Sequence, residues 1–365
     1  MKKFHWFAHW FVLLALCALC HQVALADWEK AVSLYKQGQY RPAITEFEQV
    51  VAEFPDHSDS WKFIGLAYYQ LKDYAPSVTP LEKALALKQK EGKTDTDILQ
   101  ALGRAEIALL RYDRAAPRFE TLIRLSAKDK SAAVNYYLLG VCYAQLKRAA
   151  ESDSAFRQAT KLDPSDGDTW YYLGTQQFRA GRFTEAITTL RSGVAAQPKN
   201  PEMLGLLTES LLRQAAALTD ERQAQAMNDE ATQRATALKA LREDAASLEL
   251  LGRAFLAAKK YTNAEMTLEK AVEATAKPTA SLFFATGFAH AQSKAWPRAA
   301  EMLANADRLQ PGDFNTLYYL GFVFENQRKY AQALDAYNRA FEASGRTNQD
   351  VKNSIDRVTP LARSL

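Results

Sequence analysis

The stretch DHSDSW, residues 56–61, sets His57 beside Asp56, Ser58, Asp59 and Ser60, which are the residue types of a nucleophilic triad. A triad needs its members adjacent in space rather than in sequence, so this crowding reads as a turn. Beyond the first 26 residues the chain keeps two histidines, His57 and His290, too few for a histidine-rich metal centre. No GxxxxGK[ST] or GxGxxG element is present, and glycine-rich phosphate loops follow strands that this pattern lacks. Cys142, within LLGVCYAQL, sits on an apolar helical pattern and reads as a small buried hydrophobe rather than a reactive thiol. Paired carboxylates fall on helix surfaces, where solvated charge is the default. The expectation is a protein that is not an enzyme and uses no metal or cofactor.

One spacing could still cradle a ligand. WYYLGTQQFRAGRFTEAI, residues 170–187, is helical by its apolar spacing yet carries Gly174 and Gly181, seven residues apart. A glycine inside a helix costs up to about 1 kcal/mol against alanine, so each must do something in return. The elements that would position them follow from the whole chain. Its 365 residues are 48% hydrophobic and 24% charged, with 15 glycines and 12 prolines, a balance that favours helix over turn-rich β structure.

The N-terminus has a different character. Lys2 and Lys3 precede an apolar run from Phe4 to Leu19, and the small-x-small triplet Ala24-Leu25-Ala26 stands before Asp27, the pattern of a cleaved export signal. Cleavage after Ala26 implies a periplasmic or secreted protein. The alternative, an uncleaved anchor, is disfavoured because the run falls short of the ~20 residues of a typical span. Leu16 and Leu19 before Cys17 and Cys20 argue against lipidation. Beyond residue 26 the chain has 44 basic and 42 acidic residues, a balance that gives no argument for nucleic acid. Cys142 is then the one remaining cysteine and cannot form an intrachain disulfide.

Self-similarity organises the rest. An aromatic or leucine, Leu-Gly, a second aromatic, a small residue, a large apolar residue and a closing proline recur from starts near Ala24, Ser58, Thr96, Ala133, Gly167, Pro201, Ala245, Ala280 and Phe314. The tight position of the first helix is Ala31, Gly65, Gly103, Gly140, Gly174, Thr208, Gly252, Gly287 and Gly321. The small position of the second helix is Ala43, Ser77, Ala115, Ser152, Ala186, Ala231, Ala264, Ala299 and Ala333. This pattern resembles the tetratricopeptide repeat (TPR), a helix-turn-helix unit.

The resemblance implies an all-α, right-handed superhelical solenoid of about nine units over residues 27–346, with units near 27–57, 58–91, 96–129, 133–166, 167–200, 201–244, 245–278, 280–313 and 314–346. It pairs the tight and small positions, setting Gly174 against Ala186, with Gly181 closing the first helix by a positive φ. Asn348 starts a capping helix over residues 348–358, within a terminal segment 347–365, whose stripe is Val351, Ile355 and Val358. The sixth unit is ten residues over length, which predicts two lengthened helices, the second starting at Thr219. In the second unit Pro80 predicts a bend in the second helix.

In the family, first helices line a concave groove that holds partners. Carried over unit by unit, those positions are Trp28, Val32 and Tyr35; Lys62, Leu66 and Tyr69; Arg104 and Ile107; Tyr137 and Val141; and Tyr171, Phe178 and Arg179. The later units contribute Arg213, Glu249, Arg253, Phe284, Phe288, Tyr318 and Phe322. Tyr, Phe and Arg are residues that anchor interfaces, so the implied function is an envelope scaffold holding a peptide or protein segment. The competing reading is a glycan- or peptidoglycan-binding assembly factor in which the aromatics stack on sugar rings. Self-association is left open. The family's clamp for chaperone tails would need Asn at the positions of Leu66 and Ala101, and is rejected.

Overall fold

The computed structural model describes residues 28–126 and 130–363, and among these it holds nineteen α-helices and no strand. The expected export signal, residues 1–26, lies outside the described residues. The helices divide into two compact units, one ending at Pro164 and the other beginning at Ser165. In the first, hairpins are formed by α1 (28–36) with α2 (Tyr40–Glu53), α3 (Ser58–Gln70) with α4 (Tyr74–Lys90), α5 (Thr96–Ala108) with α6 (Tyr112–Ser126), and α7 (Ala132–Gln145) with α8 (Ala149–Leu162). In the second they are α9 (Gly167–Arg179) with α10 (Phe183–Ala196), α11 (Pro201–Ala217) with α12 (Glu221–Leu241), α13 (Ala245–Ala257) with α14 (Tyr261–Glu273), α15 (Ala280–Gln292) with α16 (Trp296–Leu309), and α17 (Phe314–Asn326) with α18 (Tyr330–Ala343). The helix α19 (Gln349–Arg363) follows. Within each unit consecutive helices pack, so hairpins that cannot bury an apolar face alone stack into a solenoid.

The starts of the first helices are written in local chemistry. Asp95, Asp166, Asn200, Asp244, Thr279 and Asp313 each accept a backbone N–H of the opening turn of α5, α9, α11, α13, α15 and α17, satisfying donors that have no intrahelical partner. His57 does the same for α3: its Nδ1 accepts from the Ser60 N–H at 3.2 Å and lies 2.7 Å from Ser60 Oγ. The start of α12 is capped by Asp220, which accepts from the Arg222 and Gln223 amides, rather than by Thr219. The helix α4 contains Pro80, which is buried, and continues to Lys90.

The tight glycines make room for a large residue of the second helix, one turn beyond the small one. A Cβ on Gly174 would fall 2.6 Å from Leu190 Cδ2, so the missing side chain makes room for Leu190. The same residue, sixteen positions on, meets every tight glycine: Leu81 at Gly65, Phe119 at Gly103, Phe156 at Gly140, Leu268 at Gly252, Leu303 at Gly287 and Tyr337 at Gly321. Each of these large side chains is fully buried. Burying one contributes about 1.5–3 kcal/mol, more than the interior glycine costs. The small residue one turn earlier brings the backbones together, as where Ser152 Oγ donates to the Gly140 carbonyl at 2.9 Å. In the lengthened hairpin the sizes are exchanged: Thr208 and Ala235, one turn beyond Ala231, are both completely buried.

The second glycine of the opening pair does separate work. Gly181 has φ of 72° and ends α9, but its counterparts Lys72, Leu110, Lys147, Lys259, Lys294 and Arg328 take the same left-handed conformation. A lone such residue is tolerated without glycine at a cost of about 1–2 kcal/mol.

Candidate functional site

In the first unit most of the groove residues carried over from the family are engaged inside the fold. Trp28 packs on Phe47, His57 and Phe63, and Tyr35 meets Tyr40 at 5.4 Å and Phe63 at 5.0 Å, burial pushing its phenol above the ordinary value. Tyr69 lies edge-on to Tyr74 at 5.7 Å, and Tyr137 lies 5.9 Å from the buried Phe156. Val32, Leu66 and Ile107 are partly buried against the same cores, and Val141 is half-buried. Lys62 is a correction. Its ammonium bonds Asp95 and Asp97, each at 2.8 Å, and its side chain is only 15% exposed, so it ties α3 to the start of α5 and offers no free charge. Arg104 is exposed.

The second unit differs along its length. Tyr171 and Phe178 are half-buried, Phe178 edge-on to Phe183 of its own hairpin at 5.4 Å, and Arg179 is exposed. Arg253 is paired: with Arg213 it holds Glu209, at 3.1 and 3.0 Å, and this holds the Glu209 carboxyl below its ordinary range despite burial. Glu249 is shifted the other way, since burial pushes its carboxyl up. Farther on, Phe284 and Phe288 stack on α15 at 6.2 Å, and Tyr319 of α17 stands edge-on to both, at 6.1 and 4.9 Å. Tyr318 stacks on Phe314 at 6.2 Å and meets Tyr319 at 5.4 Å, while Phe322 meets Trp296 at 5.8 Å. The rings form one half-buried row across two neighbouring hairpins.

Sequence reasoning placed Phe284, Phe288, Tyr318 and Phe322 in this row and missed its centre, Tyr319, together with Trp296. The available signal was the doublet in TLYYLG, residues 316–321, where adjacent rings must point to different neighbours of one helix.

The residues whose types could do bond chemistry are held in contacts of the fold. Ser60, beside His57, is completely buried, and Asp59 is held by Lys88 at 2.8 Å. Cys142 is buried, which pushes its thiol up to about 12. His290 is buried between Glu265 and Glu269, at 3.3 and 3.1 Å, and ties α15 to α14. Among the described residues no group of His, Cys, Asp or Glu could hold a metal, and no helix is long and apolar enough to cross a membrane.

Tetratricopeptide repeat models match residues 29–91 and 101–154, 148–209, 245–278 and 315–343, together more than half of the chain, and the protein belongs to that family. Proteins of the family generally mediate contacts between proteins. The chain is similar to Superkiller protein 3 of Schizosaccharomyces pombe, 29% identical over 113 residues that make up 31% of this chain and 8% of that one. It is also similar to BBSome complex member BBS4 of Bos taurus, 25% identical over 237 residues, 65% of this chain and 43% of that one. It thus spans less than half the length of these curated relatives. Among solved structures it resembles YrrB, reported as a TPR protein with an unusual peptide-binding site, at 21% identity and a TM-score of 0.45 over 50% of this chain and 90% of that one.

Proposed function

We propose that this protein is a non-enzymatic interaction scaffold of the cell envelope, exported by its N-terminal segment, and that its second unit holds a peptide or protein segment on the faces of α13, α15 and α17. The observation that carries this reading is the aromatic row of Phe284, Phe288, Tyr319, Tyr318 and Phe322, half-buried and continuous between two hairpins. Rings held rigidly by one another lose little entropy on binding, and their open faces supply the anchors around which a partner segment desolvates. The exposed Arg179 can pair with acidic or backbone groups of the partner.

Crosslinking in whole cells followed by mass spectrometry identifies the partner, and capture is then compared in Phe288→Ser and Phe322→Ser. Loss of capture with an unchanged helical circular dichroism spectrum is the expected result; capture equal to wild type sinks the groove. Retention on isolated peptidoglycan sacculi, weakened by the same substitutions, would instead favour the glycan reading. A fusion of residues 1–30 to alkaline phosphatase is expected to be active, since that enzyme works only after export.

A further inference from the structure

In the first unit the turn inside each hairpin holds one residue in the left-handed region: Gly38, Lys72, Leu110 and Lys147, with φ of 75°, 61°, 60° and 60°. The hairpins are antiparallel and stack through α4 on α5 and α6 on α7, which brings these turns to one edge of the unit. That edge is cationic, with Lys72, Arg111, Arg114, Lys147 and Arg148 exposed. Its acids are Asp73, Asp113 and Glu151, of which Asp73 is held by Arg41 at 3.5 Å and Glu151 by Arg148 at 3.0 Å. Between the flanking cations Leu110 stands 71% exposed.

A leucine is a poor choice at that position on two counts. An L-residue is disfavoured in the left-handed region, and an apolar side chain in water gains nothing from folding. At every other such turn inside a hairpin, among the described residues, the position is glycine, lysine or arginine. Folding therefore does not explain Leu110. We infer that this edge docks on an anionic phospholipid surface, with the cations against headgroup phosphates and Leu110 inserted beneath them. A protruding apolar tip ringed by lysine and arginine suits a medium that is anionic outside and apolar within. A protein hot spot wants a cluster of large exposed side chains, and at these turns, among the described residues, Leu110 is the one exposed large hydrophobic.

The test uses the full chain, sedimented with vesicles of phosphatidylcholine alone and of phosphatidylcholine containing phosphatidylglycerol. The quantity read is the gain in binding caused by phosphatidylglycerol, so that any affinity of the apolar segment 4–19 for neutral lipid is common to both arms. The wild type is expected to show a gain that falls as salt rises. Lys147→Gln with Arg148→Gln should cut it by about five-fold for each cation removed. Leu110→Gly keeps every charge and relieves the backbone, so it should melt no lower than wild type and still lose most of the gain. Three results would overturn the inference: no gain with wild type, a gain unchanged in both variants, or a loss confined to the charge variant, which would make the edge a general attractor of anions.

Discussion

A Cβ added to Gly174 would lie 2.6 Å from Leu190, whereas one added to Gly205 meets nothing nearer than Leu238 at 3.6 Å. Both glycines are interior to helices, and helix propensity alone would have alanine stabilise each by about 1 kcal/mol. Packing reverses the sign at one of them: Gly174→Ala should lose about 1–3 kcal/mol through overpacking, while Gly205→Ala should gain up to ~1 kcal/mol. Urea denaturation of the two variants decides it. Glu106 is a second residue whose cost is local. It is completely buried, neither carboxylate oxygen accepts a hydrogen bond, and Arg118 is 3.8 Å away. Burial raises its pKa above the ordinary 4.5, so the stability tied to its protonated form is complete below that pH and is lost as pH rises through the folded value. Glu106→Gln should accordingly stabilise the protein at pH 7, by about 1 kcal/mol for an unsatisfied buried group, and the advantage should shrink towards pH 4 in melts across that range.

One bidentate pair joins α19 to α17. Arg357 donates to both oxygens of Glu325, at 2.8 and 2.9 Å, and the Tyr337 hydroxyl donates to the same carboxylate at 2.9 Å. Arg357 holds the Glu325 carboxyl below its ordinary 4.5, so this contribution is present above that pH and is lost as pH falls through the lowered value. Because the Arg357 side chain is 53% exposed, screening keeps the contribution small, about 1 kcal/mol or less. Arg357→Ala should show that deficit at pH 7 and none once Glu325 is protonated. The helix runs from Gln349 to Arg363, past the end expected at residue 358, and its start is capped by Asn348, which accepts the Val351 amide at 3.1 Å. The expected stripe is only partly a core face, since Val351 and Val358 are buried and Ile355 is half-buried.

A solenoid is stabilised by contacts between neighbours, so damage at an end should stay near that end. In the second unit Val351 and Val358 pack into one cluster with Leu317, Ala333, Tyr337 and Ala340. Removing residues 349–365 would uncover that cluster. Hydrogen exchange is expected to accelerate in α17 and α18 and to remain near wild type in α9 and α10; uniform acceleration through the unit would show that it unfolds as one block. The same nearest-neighbour logic explains the ion pairs that join one hairpin to the next, such as Arg339 with Asp307 at 2.7 Å and Lys62 with Asp95 at 2.8 Å.

The sequence by itself determined the repeat, the hairpins and the small positions, because these follow from local size and a fixed period. The caps of the first helices are equally local: an Asp, Asn or Thr just ahead of an apolar pattern bonds the amides two and three residues on. What only the tertiary structure decided is pairing between elements. The period shows that Gly174, Ala186 and Leu190 recur, while only the geometry shows that Leu190 fills the space over the glycine. It likewise pairs Lys62 with Asp95 and Arg253 with Glu209, because a charge carried to a surface by its helical position is still free to reach an acid of a neighbouring hairpin. The aromatic row was half legible for the same reason. Helical spacing says which rings share a face, while Tyr319 became its centre only when α17 was laid beside α15.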